Sequence, residues 1–336
     1  MAGGGIAGRV PVLGGSSRHA TVGLVLPTFP QAGPLDPGLL RATVAHAEAA
    51  GIDALWACDH LFWHGPVVEA FTALATAAAT TTRCALGTAV LQLALRRPAV
   101  VAKTAASLQL LSGGRFVLGV GAGVHEGEFA AAGVDFASRG RQVDAALDQL
   151  EHLWAPADDR YEQLPAPSPV PVWIGGSSDP ALRRAARRGA GWIPMFLSPP
   201  ALRDRYAQLG AEAVLAGRRP ADVTRAVLLF VHVDRRAETA RRRGLAWMSS
   251  LYGLPADRLE RHLVAGTPDA CVDRIGAYVE AGAQHLCLFV ADDDPVPHLD
   301  AILGGLRSAV PAPPPGNGHA IEPVRAGDPP TRTVHP

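Results

Sequence analysis

Residues 86–129 read LGTAVLQLALRRPAVVAKTAASLQLLSGGRFVLGVGAGVHEGEF, and the order of patterns within them sets the fold class. The apolar run over 84–93 lacks the polar alternation of a half-exposed strand, which is how a strand covered on both faces reads. Pro98 then stands where a helix begins, Ala and Leu recur at helical spacing over 98–111, and a second apolar run follows over 115–120. Strand, helix, strand is one crossover unit of a parallel sheet. Outward from it the alternation repeats. Further apolar runs fall at 22–26, 53–57, 171–174, 191–194, 226–233 and 285–290, with helical spacing over 38–50, 68–80, 139–154, 180–188, 200–216 and 268–281. Gly51 and Gly282 punctuate helix ends, and Asp179-Pro180 and Thr267-Pro268 each read as an N-cap followed by proline in the first turn. Eight strands with intervening helices predict an α/β fold, a single (β/α)8 TIM barrel. A doubly wound open sheet is the alternative, because closure is not written in periodicity. Residues 234–263 exceed one crossover helix and predict an extra helical insertion between strands seven and eight. The Gly/Ser-rich start and the Pro-rich end assign the barrel to 21–306, with flexible tails at 1–20 and 307–336.

Composition narrows the partners. The chain has 336 residues, 48% hydrophobic, with 31 basic and 31 acidic side chains. Zero net charge removes the long-range field that nucleic-acid or anionic-membrane binding needs. No apolar run approaches the ~20 residues that cross a bilayer, and the Gly-rich start lacks a secretory core, so a cytoplasmic protein is expected. Cys58, Cys84, Cys271 and Cys287 stand far apart in apolar surroundings and read as reduced buried thiols. Lys103 is the single lysine. No metal is expected: His60 and His64 lack both an HExxH pattern and a third ligand, and Asp292-Asp293-Asp294 reads as a polar loop.

In a barrel, function gathers where strands end. Asp59-His60 follows the second strand, and a carboxylate beside an imidazole can fix its tautomer, although neighbours on a strand face opposite ways. Gly119, Gly121 and Gly123 end the fourth strand and allow a backbone to approach a flat ring or a phosphate. They miss the GxGxxG pattern, since residue 124 is valine and no helix is predicted to open there. In Gly175-Gly176-Ser177-Ser178-Asp179-Pro180 a strand passes into a helix, so N–H groups and hydroxyls converge where an anion could sit, with Arg183 and Arg184 close by. An ordinary capped turn is the alternative. Trp63, Trp247 and Phe289 are candidates for an aromatic-walled pocket, or equally for core.

Taken in order, AEAAGIDALWACDH (47–60), residues 86–129, RGRQVDAALDQLEHLW (139–154), PVWIGGSS (171–178), RRGAGWIP (187–194) and GTPDACVDRIGAYVEAGAQHL (266–286) resemble the bacterial luciferase-like flavin/deazaflavin oxidoreductase superfamily. The likeness is strongest to its coenzyme F420-dependent branch. The resemblance implies hydride transfer between the deazaflavin C5 and a small organic substrate. Its alternatives are an FMN-dependent two-component monooxygenase that uses O2, and a non-catalytic cofactor-binding barrel. It further implies a homodimer and a separate reductase that supplies reduced cofactor. Residue by residue, Asp59 would touch the ring and His60 would face the substrate as acid or base. A backbone bulge, often with a non-prolyl cis peptide, would fall at Ala89-Val90. Gly121, Ala122, Gly123, Val124 and His125 would wrap the ring. Gly175, Gly176 and Ser177 would take the phosphate, and Met195 would flank the pocket. Glu126, with Glu128 beside it, is the candidate second acid or base. The family's sugar-phosphate dehydrogenase carries glutamate where this chain has Val124, and with Lys103 the single lysine, a substrate other than glucose 6-phosphate is implied.

Overall fold

The computed structural model describes residues 20–31, 33–34, 36–155 and 169–309. The segments assigned as tails fall outside these, except Ala20 ahead of the first strand and 307–309 at the end of the last helix. Ten strands form in chain order: β1 Thr21–Val25, β2 Ala54–Ala57, β3 Ala85–Thr88, β4 Leu91–Gln92, β5 Phe116–Gly121, β6 Val172–Gly175, β7 Gly191–Ile193, β8 Thr224–Val233, β9 Leu263–Gly266 and β10 His285–Val290. Around them lie α1 Pro37–Ala49, α2 Ala70–Thr80, α3 Pro98–Leu111, α4 Glu126–Ala131, α5 Arg139–Trp154, α6 Asp179–Arg188, α7 Pro199–Leu215, α8 Ala237–Tyr252, α9 Ala256–Leu259, α10 Pro268–Glu280 and α11 Val296–Ala309. All pairings are parallel, and β10 bonds both β1 (Thr21↔His285) and β8 (His285↔Ala226). The sheet is therefore closed, which excludes the open doubly wound alternative.

Two departures from the expected pattern bear on the site. The apolar run over 84–93 is two short strands, β3 and β4, interrupted by a cis peptide bond at Ala89–Val90. In the insertion, α8 and α9 are followed by a strand, β9, which pairs with Phe230–Val233 of β8. Since β10 holds one edge of β8 over Phe230 and Val231, β9 occupies the edge that the short β7 leaves.

Inside the barrel, Trp56 and Trp173 pack at a tilt, 5.1 Å between centroids, beside a fully buried His285. Glycines make the room: a Cβ at Gly23 or Gly87 would strike the Trp56 ring, and one at Gly191 the Trp173 ring. Trp56 Nε1 donates to His285 Nε2 at 2.9 Å, so the proton of the neutral imidazole sits on Nδ1, 2.8 Å from Thr21 Oγ1. The caps follow the sequence with one shift. Thr267 caps α10 as expected, but Ser178, not Asp179, caps α6. With the interior filled at one end, the strand C-termini converge around a cavity at the other.

Candidate functional site

The cavity holds about 580 Å³, and its walls come from the segments that follow β2, β3, β5, β6 and β7, together with the end of α8. Beyond β2, Asp59 and His60 diverge as strand neighbours should. The Asp59 carboxylate is buried; Oδ1 accepts from Arg96 at 2.5 Å and Oδ2 from the Gln92 backbone N–H at 3.0 Å. Burial raises its pKa, with the Arg96 guanidinium and the Gln92 N–H opposing.

His60 is held by a residue 68 positions away. Its Nδ1 lies 3.0 Å from Oε2 of Glu128, a carboxylate with no solvent exposure. Gln92 Nε2 donates to Glu128 Oε2 (2.8 Å) and to the Asp59 carbonyl (3.1 Å), which uses both amide hydrogens and leaves none for His60 Nδ1, 3.0 Å away. The proton between His60 and Glu128 is therefore the imidazole's own, on Nδ1, and Nε2 is the ring nitrogen left for a ligand. Glu128 Oε1 meanwhile accepts from the backbone N–H groups of Leu61 and Phe62. Burial alone would raise the Glu128 pKa; hydrogen bonds from His60, Gln92 and Phe62 outweigh it and hold the carboxyl below its usual range. Trp63 packs tilted on the His60 ring at 3.9 Å and 35°, and Phe29 meets it edge-on at 5.9 Å.

Across the cavity, Val90 is seated in a notch without Cβ atoms. A Cβ on Gly121 would lie 2.6 Å from Val90 Cγ2, and one on Gly175 2.7 Å from Val90 Cγ1. The glycines of β5 and β6 thus make room first for this side chain. Only Gly123 (φ 77°) and Gly176 (φ 102°) in these two turns also need glycine for backbone conformation. At the Gly175–Ser178 turn both hydroxyls are engaged. Ser177 Oγ donates to the Met195 carbonyl (2.6 Å) and accepts from Met195 N (3.2 Å), while Ser178 Oγ caps α6. Any anion there would meet the backbone N–H groups of the turn and the positive end of α6. Arg184 and Arg139 also line this end, the former bonded to both carboxylate oxygens of Asp144 at 2.6 and 2.9 Å.

The sequence model of the family described as luciferase-like monooxygenase matches residues 21–285, most of the chain and all of the cavity's lining residues but Phe289. The chain belongs to that family. It is 31% identical over 300 residues, covering 76% of this chain and 88% of the relative, to an F420-dependent glucose-6-phosphate dehydrogenase of Amycolatopsis mediterranei (strain U-32). Two solved structures share the fold at lower identity. One is an F420-dependent secondary alcohol dehydrogenase in complex with an F420-acetone adduct (TM-score 0.71, 19% identity, 84% of this chain and 99% of that one). The other is the oxygenating constituent of 3,6-diketocamphane monooxygenase from Pseudomonas putida in complex with FMN (TM-score 0.68, 19% identity, 86% and 97%).

In this luciferase-like barrel, Asp59, His60, Ala89, Val90, Gly121, Ala122, Gly123, Val124, Gly175, Gly176, Ser177 and Met195 all line the cavity. Two of the residues that the resemblance assigned to the site, Glu126 and His125, do not. Glu126 is exposed at the start of α4, because residues two apart on a helix face opposite sides, and it is Glu128 that turns inward. His125 packs instead on Trp63 and His64, at 5.4 and 5.1 Å between ring centroids. Contrary to the sequence expectation, a helix does open shortly after Val124, at Glu126. Trp63 and Phe289 do wall the cavity, whereas Trp247 lines a smaller neighbour and donates to Asp293 Oδ1 at 2.9 Å. Gln92, Arg96 and Glu128 carry the site's polar framework and were missed or passed over. The one available signal was that all three are polar within the apolar 86–129 stretch.

Elsewhere, His232, Asp292 and His298 come together closely enough to enclose an ion. Their protons oppose it. His298 Nδ1 accepts from Val233 N at 3.0 Å, so its Nε2, facing Asp292 Oδ2 at 3.4 Å, carries the hydrogen a metal would have to displace. These groups form a hydrogen-bonded clasp between β8 and α11.

Proposed function

We propose that this chain is an F420-dependent oxidoreductase that moves a hydride between the deazaflavin and a small organic substrate. The observation that carries the reading is His60: its Nδ1 is fixed by a buried carboxylate while its Nε2 remains for the ligand. The 31% identity to an F420-dependent dehydrogenase supports the cofactor. The residues fit such a group. The notch of Gly121 and Gly175 keeps Val90 flat against the wall, and the Gly175–Ser178 turn at the α6 N-terminus suits a phosphate. When bound, the deazaflavin supplies or accepts the hydride at its C5.

The chain's own residues would do the rest. His60 Nε2 takes the substrate's hydroxyl proton in the oxidative direction and returns it in the reductive one. Glu128 stabilises the imidazolium that forms, and the proton transfer by His60 is worth about 10²- to 10⁴-fold in rate. Asp59 acts as a positioning residue, tying Arg96 and the Gln92 backbone beneath the loop that carries His60. Gly176, Ser177 and Ser178 hold the phosphate through backbone N–H groups. His60→Ala should lower kcat by that factor while leaving cofactor affinity unchanged; near-normal turnover would refute the assignment.

Titration with F420 and with FMN, read by fluorescence, tests the cofactor. Tight binding of F420 with weak FMN binding is expected. The reverse, with oxygen consumed alongside reduced FMN, would establish the monooxygenase reading, and binding without turnover on a broad substrate panel a non-catalytic barrel. We also infer a cytoplasmic homodimer served by a separate cofactor reductase. Exposed Val100, Leu110 and Leu111 on α3 support a partner face, and no helix among the described residues is long and apolar enough to cross a membrane. Light scattering in solution tests the dimer.

A further inference from the structure

Three tyrosines lie among the described residues, and two of them are spent on the fold. Tyr206 donates its hydroxyl to the Ala226 carbonyl at 2.8 Å, and Tyr278 to the Leu197 carbonyl at 3.1 Å. Tyr252 differs. It is half-buried in the wall of the cavity, and its hydroxyl has no hydrogen-bond partner among the described residues, nor is it sealed from the cavity. A phenol in such surroundings ordinarily finds a partner, because an unpaired donor away from water is costly.

The ring is well fixed. It meets Trp63 edge-on at 6.0 Å and Phe230 at 5.8 Å, and Trp63 Nε1 donates to the Leu251 carbonyl at 2.7 Å. The end of α8 is thereby tied to the loop bearing His60, with Trp63 between His60 and Tyr252. Burial raises the phenol's pKa, so it stays a donor.

Beside Tyr252 the wall is largely apolar. Phe289 stacks on Phe230 at 4.8 Å, and Phe29, Leu228 and Leu251 complete it. The cationic side chains lining the cavity belong to its glycine–serine end. Arg184 is bonded to Asp144, and Arg139 donates to the Phe136 carbonyl at 2.8 Å. Lys103 is exposed on α3 and is not part of the cavity wall. A phosphate placed beside His60 would be desolvated without a countercharge, whereas a single oxygen on a hydrocarbon could be met by the Tyr252 hydroxyl.

We propose that Tyr252 is the specificity-determining donor for the substrate's oxygen, and that the site takes a small uncharged apolar alcohol or its carbonyl counterpart, not a phosphorylated sugar. The inference rests on the cavity being the oxidoreductase site, but binding alone tests it. Cyclohexanone, methylcyclohexane and glucose 6-phosphate would be titrated into the full chain and its Tyr252→Phe variant, with and without F420, by calorimetry. The wild type should bind cyclohexanone and prefer it to glucose 6-phosphate. Tyr252→Phe, which keeps the ring contacts and hence the melting temperature, should weaken cyclohexanone roughly 3- to 10-fold and leave methylcyclohexane unchanged. Four results would each overturn the proposal: no cyclohexanone binding by the wild type, preference for the phosphosugar, equal cyclohexanone affinity in the variant, or an equal loss for methylcyclohexane. Failure to bind F420 would instead overturn the cofactor reading, whatever these ligands do.

Discussion

Gly175→Ala is the sharpest test of how the cofactor wall is built. The added Cβ would lie 2.7 Å from Val90 Cγ1 and 2.9 Å from Val90 Cγ2. Carbon atoms sit at about 3.5–4.0 Å, so the valine must withdraw by roughly 0.8 Å or more. Gly121 backs the same side chain, with a would-be Cβ at 2.6 Å from Cγ2, and the side left for Val90 to move into is the cavity. Overpacking of this size costs about 1–3 kcal/mol. With the cavity empty the displaced valine costs little, so the penalty falls on the bound state. The Kd for F420, read from its fluorescence, should rise about 5- to 150-fold, with little change in melting temperature. Val90→Ala removes both γ-carbons. In the Gly175→Ala background it should recover most of the affinity, giving a coupling of about 1–3 kcal/mol in the double-mutant cycle. Additive losses in that cycle, or an unchanged Kd for Gly175→Ala, would show that the glycine does not exist to seat Val90.

Other outcomes follow from the polar framework. Glu128→Gln places an amide against the His60 N–H and the Gln92 amide, so kcat/KM should fall roughly 10- to 100-fold through loss of a charge-assisted bond; Glu126→Gln, at an exposed position, should be silent in the same assay. Arg96→Met leaves the buried Asp59 carboxylate unpaired and should cost about 3 kcal/mol in denaturant unfolding; the double change Asp59→Asn, Arg96→Met should cost less than the two singles summed. Burial pushes the His285 pKa down to about 3. Below pH ~6.5 the unfolded chain takes up a proton that the folded one refuses, so this group's stabilisation, complete above pH 6.5, is lost at ~1.4 kcal/mol per pH unit as the pH falls. Burial lowers His232 and His262 as well, which acts in the same sense. Calorimetric melting should therefore drop between pH 7 and 5, and His285→Gln should flatten the slope; an unchanged slope would place the acid sensitivity elsewhere.

Much of the fold could be read locally. Strands buried on both faces announce themselves as unbroken apolar runs, and Pro98 and Thr267-Pro268 mark helix starts because ring geometry and a side-chain cap act within one turn. The break after Thr88 was not visible in composition; the family resemblance placed it. For Glu126 and Glu128 the decision rested on a six-residue helix too short to leave a periodic signal. Tyr252 carried no signal at all, being one aromatic residue in a helix whose docking was unknown.

By itself the sequence determined the alternation of elements, the eight barrel strands and the segments that end at the C-terminal face, since each depends on backbone periodicity and burial within a few residues. Only the tertiary structure decided which polar atoms remain available. The β2–β3–β5 neighbourhood brings Glu128 to His60, the β6–β7 pair spends the Ser177 hydroxyl on Met195, and the docking of α8 delivers Tyr252 with its hydroxyl unspent. Hydrogen-bond partners separated by tens to hundreds of residues are chosen by packing, and pairing leaves no trace in local spacing.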